Sequence, residues 1–97
     1  MRLRYSAKAR AQIEAIYDFL VERNPAAARR ITAEIRASAR RLIDNPYIGR
    51  KGQAVGSRER VVRGSPYLIV YQVDPINDEI LVLAVFHGAQ DWRSQLK

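Results

Sequence analysis

The chain has 97 residues and a formal net charge of +7, which suits one small hydrophobic core, and we expect a single domain over residues 1–97. It has no cysteine, which excludes a disulfide framework and a thiolate zinc site. It has no run of about 18 apolar residues and no secretory start, so we expect a cytoplasmic protein that does not enter a membrane. The basic balance favours an acidic partner (nucleic acid, ribosomes or an acidic protein segment), although a solvated surface explains it equally well.

The chain begins with a predicted strand and a predicted helix. Residues 1–5 alternate apolar and basic side chains, as a half-buried strand does. Ser6 suits a helix N-cap because its hydroxyl accepts from the first free backbone N–H groups. Residues 7–23 then repeat apolar side chains at spacings of three and four, which predicts an amphipathic helix. The stripe consists of Ala9, Ile13, Ile16, Tyr17 and Leu20.

A second amphipathic helix is predicted over residues 25–44, with Asn24 as its cap and Pro25 at its first position. Its apolar side consists of Ala28, Ile31, Ile35, Ala39 and Leu42. The short connection predicts an antiparallel αα-hairpin packed on a sheet. The arginines on its other surface could grip phosphates, but solvation of the helix is the simpler interpretation.

The glycine-rich, basic segment 46–57 (PYIGRKGQAVGS) is predicted to be a flexible loop. Such a loop could cradle a phosphate, but its spacing fits neither the P-loop nor the dinucleotide-binding fingerprint.

Three strands are predicted in the second half, over residues 58–63, 67–73 and 79–86. Simple alternation along the last strand places one set of side chains on each face. One set is Ile80, Val82, Ala84 and Phe86, and the other is Leu81, Leu83, Val85 and His87. Because both sets are apolar, we expect a central strand covered on both faces, with the second face covered by the chain's own tail or by a partner.

The segment HGAQDW follows the last strand and contains the only histidine, His87. A lone histidine cannot assemble a metal site, and no serine or cysteine lies in a nucleophile motif, so we expect no metal and no cofactor. We assign no catalytic set from the residues alone, although His87 could donate or accept a proton near neutral pH. Trp92 is expected to fold back over the sheet.

Four segments together resemble toxins of the RelE/ParE superfamily, and the ParE branch most closely. They are YSAKARAQIEAIYDFL, the stretch from NPAAARRI to LIDNPYIGR, RERVVRGSPYLIVYQV and ILVLAVFHGAQDW. The resemblance implies an α+β fold of order β-α-α-β-β-β. In that fold an N-terminal strand precedes an αα-hairpin that packs on a twisted antiparallel sheet.

The two branches differ in what they imply. RelE-like members are ribosome-dependent mRNA endoribonucleases, in which basic residues stabilise the charge on the reacting phosphate. They carry arginines where this chain has Leu68 and Ala89 or Gln90, and a tail tyrosine, whereas no tyrosine follows Tyr71 here. These departures argue against RNA cleavage and favour a chain that is not an enzyme. Arg60, Arg63 and His87 are the catalytic candidates that keep the RNA-cleaving alternative open.

ParE-like members bind DNA gyrase, block its cycle and leave DNA breaks, and a ParD-type antitoxin neutralises them. The resemblance therefore implies gyrase as the target and an antitoxin as partner, without direct DNA binding by this chain. The residues expected to contact partners are Ile16, Phe19, Leu20, Arg58, Arg60, Arg63 and Trp92. The endoribonuclease activity of the other branch is the alternative function.

Overall fold

The computed structural model describes residues 1–88, so the predictions for Ala89, Gln90, Asp91 and Trp92 lie outside the described residues. The described chain forms an N-terminal strand, a helical hairpin and then a run of strands. In chain order these elements are β1 (Arg2–Tyr5), α1 (Ala7–Val21), α2 (Pro25–Arg41), β2 (Arg50–Lys51), β3 (Arg58–Val61), β4 (Tyr67–Asp74) and β5 (Glu79–His87). The expected α+β class is confirmed.

Both helices begin where the capping residues predict. The Ser6 hydroxyl accepts the N–H of Ala9 at 3.0 Å, and the Asn24 side-chain oxygen accepts the N–H of Ala27 at 3.1 Å. Each bond satisfies one of the backbone donors that a helix N-terminus leaves unpaired. Pro25 occupies the first turn of α2, where its missing N–H costs nothing.

Both helices end slightly before the predicted bounds. At the end of α2 the N–H of Leu42 bonds to the carbonyl of Ala39, three residues earlier, at 3.1 Å, and the next two residues repeat this pattern. Such tighter bonds satisfy the last carbonyls of a helix while the chain turns away. With 15 and 17 residues, neither helix of the described chain is long and apolar enough to cross a membrane.

The sheet has five strands in the order β1-β5-β4-β3-β2. It is mixed rather than wholly antiparallel, because β1 runs parallel to β5 with Tyr5 opposite Val82, whereas the other pairs are antiparallel. No hairpin joins β1 to β5, so nothing in the connection forces them antiparallel. Part of the predicted loop 46–57 joins the sheet as β2, where Arg50 pairs with Glu59.

The helical hairpin covers one face of the sheet, with α1 against β5 and α2 against β4. The main core cluster lies between these layers. Its buried members are Ala9, Ile13, Ile35, Ala39, Leu42, Val62, Tyr67, Ile69, Tyr71, Ile80, Val82 and Val85. Tyr17, which the stripe placed on the buried side, is 37% exposed, because α1 turns only part of its apolar stripe toward the sheet.

A β-bulge exchanges the two faces of β5. Val70 pairs with Ala84 but Tyr71 pairs with Val82, so Leu83 is an extra residue in β5. Val85 therefore joins the core beneath the helices, whereas Ala84 forms a second buried cluster on the opposite face. The simple alternation predicted the reverse for residues 84–87 and is wrong beyond the bulge. The expectation that both faces of this strand are buried is confirmed.

Candidate functional site

An apolar groove runs between α1 and β5. It encloses about 430 Å³ and is called the α1–β5 groove below. Its lining residues are Gln12, Ala15, Ile16, Phe19, Tyr67, Val85 and His87. Two residues expected to bind a partner, Ile16 and Phe19, lie here together, whereas the third, Leu20, is half-buried and lies outside the groove lining.

The groove exists because β1 is shorter than β5. The pairing of β1 stops at Tyr5, opposite Val82, so no strand of residues 1–88 pairs with the remainder of β5 on that side. The start of α1 closes this edge instead. The Ser6 hydroxyl donates to the Leu83 carbonyl at 2.9 Å, and the Gln12 side-chain oxygen accepts the N–H of Val85 at 2.8 Å. These bonds hold the helix beside the strand and set the width of the groove.

Aromatic side chains stand at both walls of the groove. Phe19 is 55% exposed on α1, with the Arg23 guanidinium 3.9 Å from its ring centre. Arg23 also donates to the Phe19 carbonyl at 2.7 Å, which keeps the cation over the ring. On the strand side, the rings of Tyr67 and His87 meet edge to face with 5.6 Å between centroids. An exposed aromatic wall of this kind is typical of a binding surface for an apolar segment.

Sequence reasoning singled out Ile16, Phe19 and His87 but missed the other four groove residues, of which Gln12 and Tyr67 are polar. A signal was present for Gln12, because Gln12, Ile16 and Phe19 lie four and then three residues apart and so share one helix face. None was present for Tyr67, since its place beside His87 depends on the pairing of β4 with β5.

A second depression lies between the end of α2 and β3. It encloses about 330 Å³ and is called the α2–β3 cleft below. Its lining residues are Ser38, Arg41, Leu42, Asp44, Asn45, Ile48, Arg60, Val61 and Arg63. Two predicted partner-binding residues, Arg60 and Arg63, therefore meet here. The Arg41 guanidinium binds Glu34, and this hydrogen bond is the main reason that the pKa of the Glu34 carboxyl is lowered.

Arg58, predicted to face a charged partner, instead secures the segment before β2. Its guanidinium donates to the carbonyls of Gly49 at 2.8 Å and Tyr47 at 3.3 Å, and it lies 5.0 Å from the centre of the Tyr47 ring. Tyr71 holds the same segment from below through bonds to Gly49 and Pro46. Burial raises the pKa of the Tyr71 hydroxyl, partly offset by the Gly49 N–H and the arginines of β3.

The three catalytic candidates do not form one site. His87 lines the α1–β5 groove, whereas Arg60 and Arg63 line the α2–β3 cleft, and the two surfaces share no lining residue within the described range 1–88. Proton transfer and charge stabilisation must act on the same reacting group, within hydrogen-bond reach. Leu68, where the nuclease branch is expected to carry an arginine, pairs with Val61 and Phe86. Among residues 1–88 no group of three or more histidine and carboxylate side chains is placed to hold a metal.

The chain matches a known protein family over most of its length. Residues 3–92 match the family described as the ParE toxin of type II toxin–antitoxin system, parDE. A Sinorhizobium fredii (strain NBRC 101917 / NGR234) protein, Y4kP, whose name designates it provisionally as a toxin, is 31% identical over 91 residues. That match covers 94% of this chain and 92% of the relative.

Solved structures give the same fold. A chain of the chromosomal ParDE TA system from P. aeruginosa superimposes with a TM-score of 0.79 at 27% identity, covering 90% of this chain and 95% of that one. A chain of the intact E. coli RelBE toxin–antitoxin complex gives a TM-score of 0.67 at 14% identity, covering 92% and 98%. At that identity the second likeness shows the fold alone.

Proposed function

This chain belongs to the ParE family of toxins from type II toxin–antitoxin systems, and on that premise we propose that it inhibits DNA gyrase without cleaving RNA. A ParD-type antitoxin neutralises it by laying a segment in the α1–β5 groove. The action takes place in the cytoplasm, requires no cofactor and involves a protein target rather than direct contact with DNA.

The observation that carries the non-nuclease part of this proposal is the separation of the candidate catalytic groups. His87 and the pair Arg60 and Arg63 line different surfaces, and Leu68 supplies no charge at the position where an RNA-cleaving relative is expected to hold an arginine. Stabilising a phosphorane requires donors aimed at the developing charge. Residues 1–88 do not bring these candidates together in one such arrangement, which supports action by binding.

The exposed α1–β5 groove supports the proposal that an antitoxin binds this chain. Its wall residue Phe19 is 55% exposed, and a monomeric protein seldom leaves aromatic side chains gathered around an apolar trough. An amphipathic segment of an antitoxin would fill such a trough with its apolar side chains. The structural relative from P. aeruginosa is named as part of a chromosomal ParDE TA system, which agrees with a partner of this type.

Two assays run in parallel test the target. Purified chain is added to DNA gyrase in supercoiling and cleavage reactions, and to ribosomes translating a defined mRNA. We expect loss of supercoiling with accumulating linear DNA, and intact mRNA. Cut mRNA with normal gyrase activity would replace the proposal with the endoribonuclease alternative, for which Arg60, Arg63 and His87 are the residues to substitute.

A matched pair of variants tests the groove. Phe19→Ser removes the exposed aromatic wall, whereas Ile76→Ser removes an apolar side chain that is 93% exposed in a turn outside the groove. We expect Phe19→Ser to weaken binding of the ParD-type antitoxin by about tenfold or more, as for an interface aromatic, and Ile76→Ser to leave it unchanged. Equal affinities for both variants, measured by calorimetry, would place the antitoxin elsewhere.

A further inference from the structure

The α2–β3 cleft combines positive charge with an apolar floor. Leu42, only 1% exposed, forms the base, while Ile48 and Val61 present partly exposed side chains along the walls. None of the lining residues in the described part of the chain is aromatic. The cleft lies at the α2 side of the helix layer, whereas the α1–β5 groove lies at the α1 side, so one partner segment in the groove leaves the cleft open.

The charges in the cleft are only partly compensated within the described chain. Glu34 already binds Arg41, which also donates to the Ser38 hydroxyl at 3.2 Å. Arg60 and Arg63 are both exposed and form no ion pair among residues 1–88. Of the other lining residues between positions 1 and 88, only Asp44 carries a negative charge. The cleft therefore offers guanidinium donors to an anionic group from outside.

The walls of the cleft are held in place before any ligand arrives. The segment that carries Ile48 is fixed at Gly49 and Pro46 by the Tyr71 hydroxyl, and at Tyr47 and Gly49 by Arg58. A binding surface that is ordered in advance loses less conformational entropy when it binds.

We propose that the α2–β3 cleft binds an acidic–aliphatic segment of a partner protein. A carboxylate of the segment is held by Arg60 and Arg63, since an arginine fork matches the geometry of a carboxylate. A neighbouring aliphatic side chain packs on the apolar floor. This goes beyond the proposed function, because it assigns a second protein-binding surface and does not depend on gyrase being the target.

A protein segment fits the cleft better than a nucleic acid does. Single-stranded nucleic acid is bound by a track of positive charge with aromatic platforms for its bases. Among residues 1–88 the cleft has no aromatic lining residue on which a base could stack. Its apolar floor matches an aliphatic side chain, for which a phosphodiester backbone has no counterpart.

A peptide-binding experiment tests the inference on the full chain. The probe is a fluorescent peptide of about eight residues that repeats Glu-Glu-Leu-Leu. Alternate side chains of an extended peptide share a face, so each face carries both types. Comparison peptides replace Glu with Gln or Leu with Ser, and a single-stranded oligonucleotide of similar length serves as a third probe. Binding is followed by fluorescence anisotropy at about 0.1 M salt.

The variants separate the cleft from charge in general. Arg60→Gln with Arg63→Gln should weaken binding of the Glu-Glu-Leu-Leu peptide by about tenfold or more, which is about 1.4 kcal/mol. Arg29→Gln with Arg30→Gln removes the same amount of charge at exposed positions of α2 outside the cleft lining. This double variant should change the affinity for the Glu-Glu-Leu-Leu peptide by less than about twofold.

Three outcomes would overturn the inference. The first is an equal loss of peptide binding in both double variants, or no peptide binding at all. The second is binding that survives replacement of leucine by serine, which would show that the apolar floor is not used. The third is tighter binding of the oligonucleotide with the same dependence on Arg60 and Arg63, which would assign the cleft to nucleic acid. Gyrase inhibition is a separate readout, so the two proposals can fail independently.

Discussion

The hydroxyl of Tyr71, in the middle of β4, accepts the backbone N–H of Gly49 at 2.9 Å. It also donates to the carbonyl of Pro46 at 2.7 Å, and the Tyr71 ring is fully buried in the main core. One side chain therefore ties the segment between α2 and β2 to the centre of the sheet. The α2–β3 cleft depends on this tie, because the same segment forms one of its walls.

Removing the hydroxyl should destabilise the fold. In Tyr71→Phe the buried N–H of Gly49 loses its acceptor, and a buried donor left unsatisfied costs about 1–3 kcal/mol. We expect the free energy of unfolding in urea to fall by that amount with little change in the dependence on urea concentration. Tyr47→Phe is the control, since Tyr47 is 54% exposed, and should lie within about 0.5 kcal/mol of the parent chain. Equal stability of the two variants would show that the tie contributes nothing.

The raised pKa of Tyr71 predicts a loss of stability at alkaline pH. Burial raises the pKa of Tyr71 above its ordinary value of 10.0. The folded chain therefore holds this proton more tightly than the unfolded chain, so the contribution is complete below about pH 10 and disappears as pH rises through the folded pKa. We expect the free energy of unfolding to decline as pH rises above about pH 10.

Two variants show whether Tyr71 causes that decline. Tyr71→Phe should make it shallower. Tyr5→Phe should remove a further part, because burial also raises the pKa of Tyr5. A decline with an unchanged slope in both variants would mean that other groups are responsible.

Gly49 is expected to tolerate no side chain. A Cβ atom at this position would lie 2.6 Å from the Tyr71 hydroxyl oxygen and 2.8 Å from the Glu59 carbonyl oxygen. Gly49→Ala should therefore cost about 1–3 kcal/mol through steric overlap. Gly64→Ala provides the comparison, because a Cβ there meets nothing within 4 Å but the backbone has a φ of 71°, which costs about 1–2 kcal/mol in strain.

A double-mutant cycle distinguishes these two costs. In a Tyr71→Phe background the cost of Gly49→Ala should fall, because one of its clashing atoms is gone, whereas the cost of Gly64→Ala should not change. Additive effects at Gly49 would contradict the close approach of the two residues.

The ion pair between Arg50 and Glu59 should respond differently to the loss of each partner. The Glu59 side chain is 4% exposed and the Arg50 side chain 73%, with 3.0 Å between their charged atoms. The second Glu59 oxygen is buried without a hydrogen-bond partner in the described chain. Arg50→Ala leaves a buried carboxylate uncompensated and should cost about 1–2 kcal/mol, reduced from a fully buried pair by the exposure of Arg50.

Glu59→Met removes the buried charge itself and should change stability by less than about 1 kcal/mol in either direction. Thermal unfolding of both variants at neutral pH shows which substitution destabilises the fold more. A larger loss in Glu59→Met than in Arg50→Ala would mean that the pair contributes net stability beyond the shielding of the carboxylate.

Sequence by itself determined most elements of this protein, because their signals are local, but it predicted a loop where the two-residue strand β2 forms. Ser6 and Asn24 cap the two helices where hydroxyl and amide side chains favour a cap, and alternation located β4 and β5 to within about a residue. The segments shared with the toxin family were sufficient for the α+β class. The placement of Ile16 and Phe19 on an exposed face of α1 was also accessible, since helical spacing puts them together.

Tertiary structure alone decided how those elements meet. The extra residue Leu83 in β5 moves Val85 and His87 to the helix side, and no local pattern announces a bulge whose cause is pairing with another strand. The parallel pairing of β1 and its early end, which opens the α1–β5 groove, depend on residues more than seventy positions apart. Arg58 looked equivalent to Arg60 and Arg63 in the sequence, yet its guanidinium donates to backbone carbonyls in the segment before β2. Contacts across the sheet therefore determine which cations remain available for a partner.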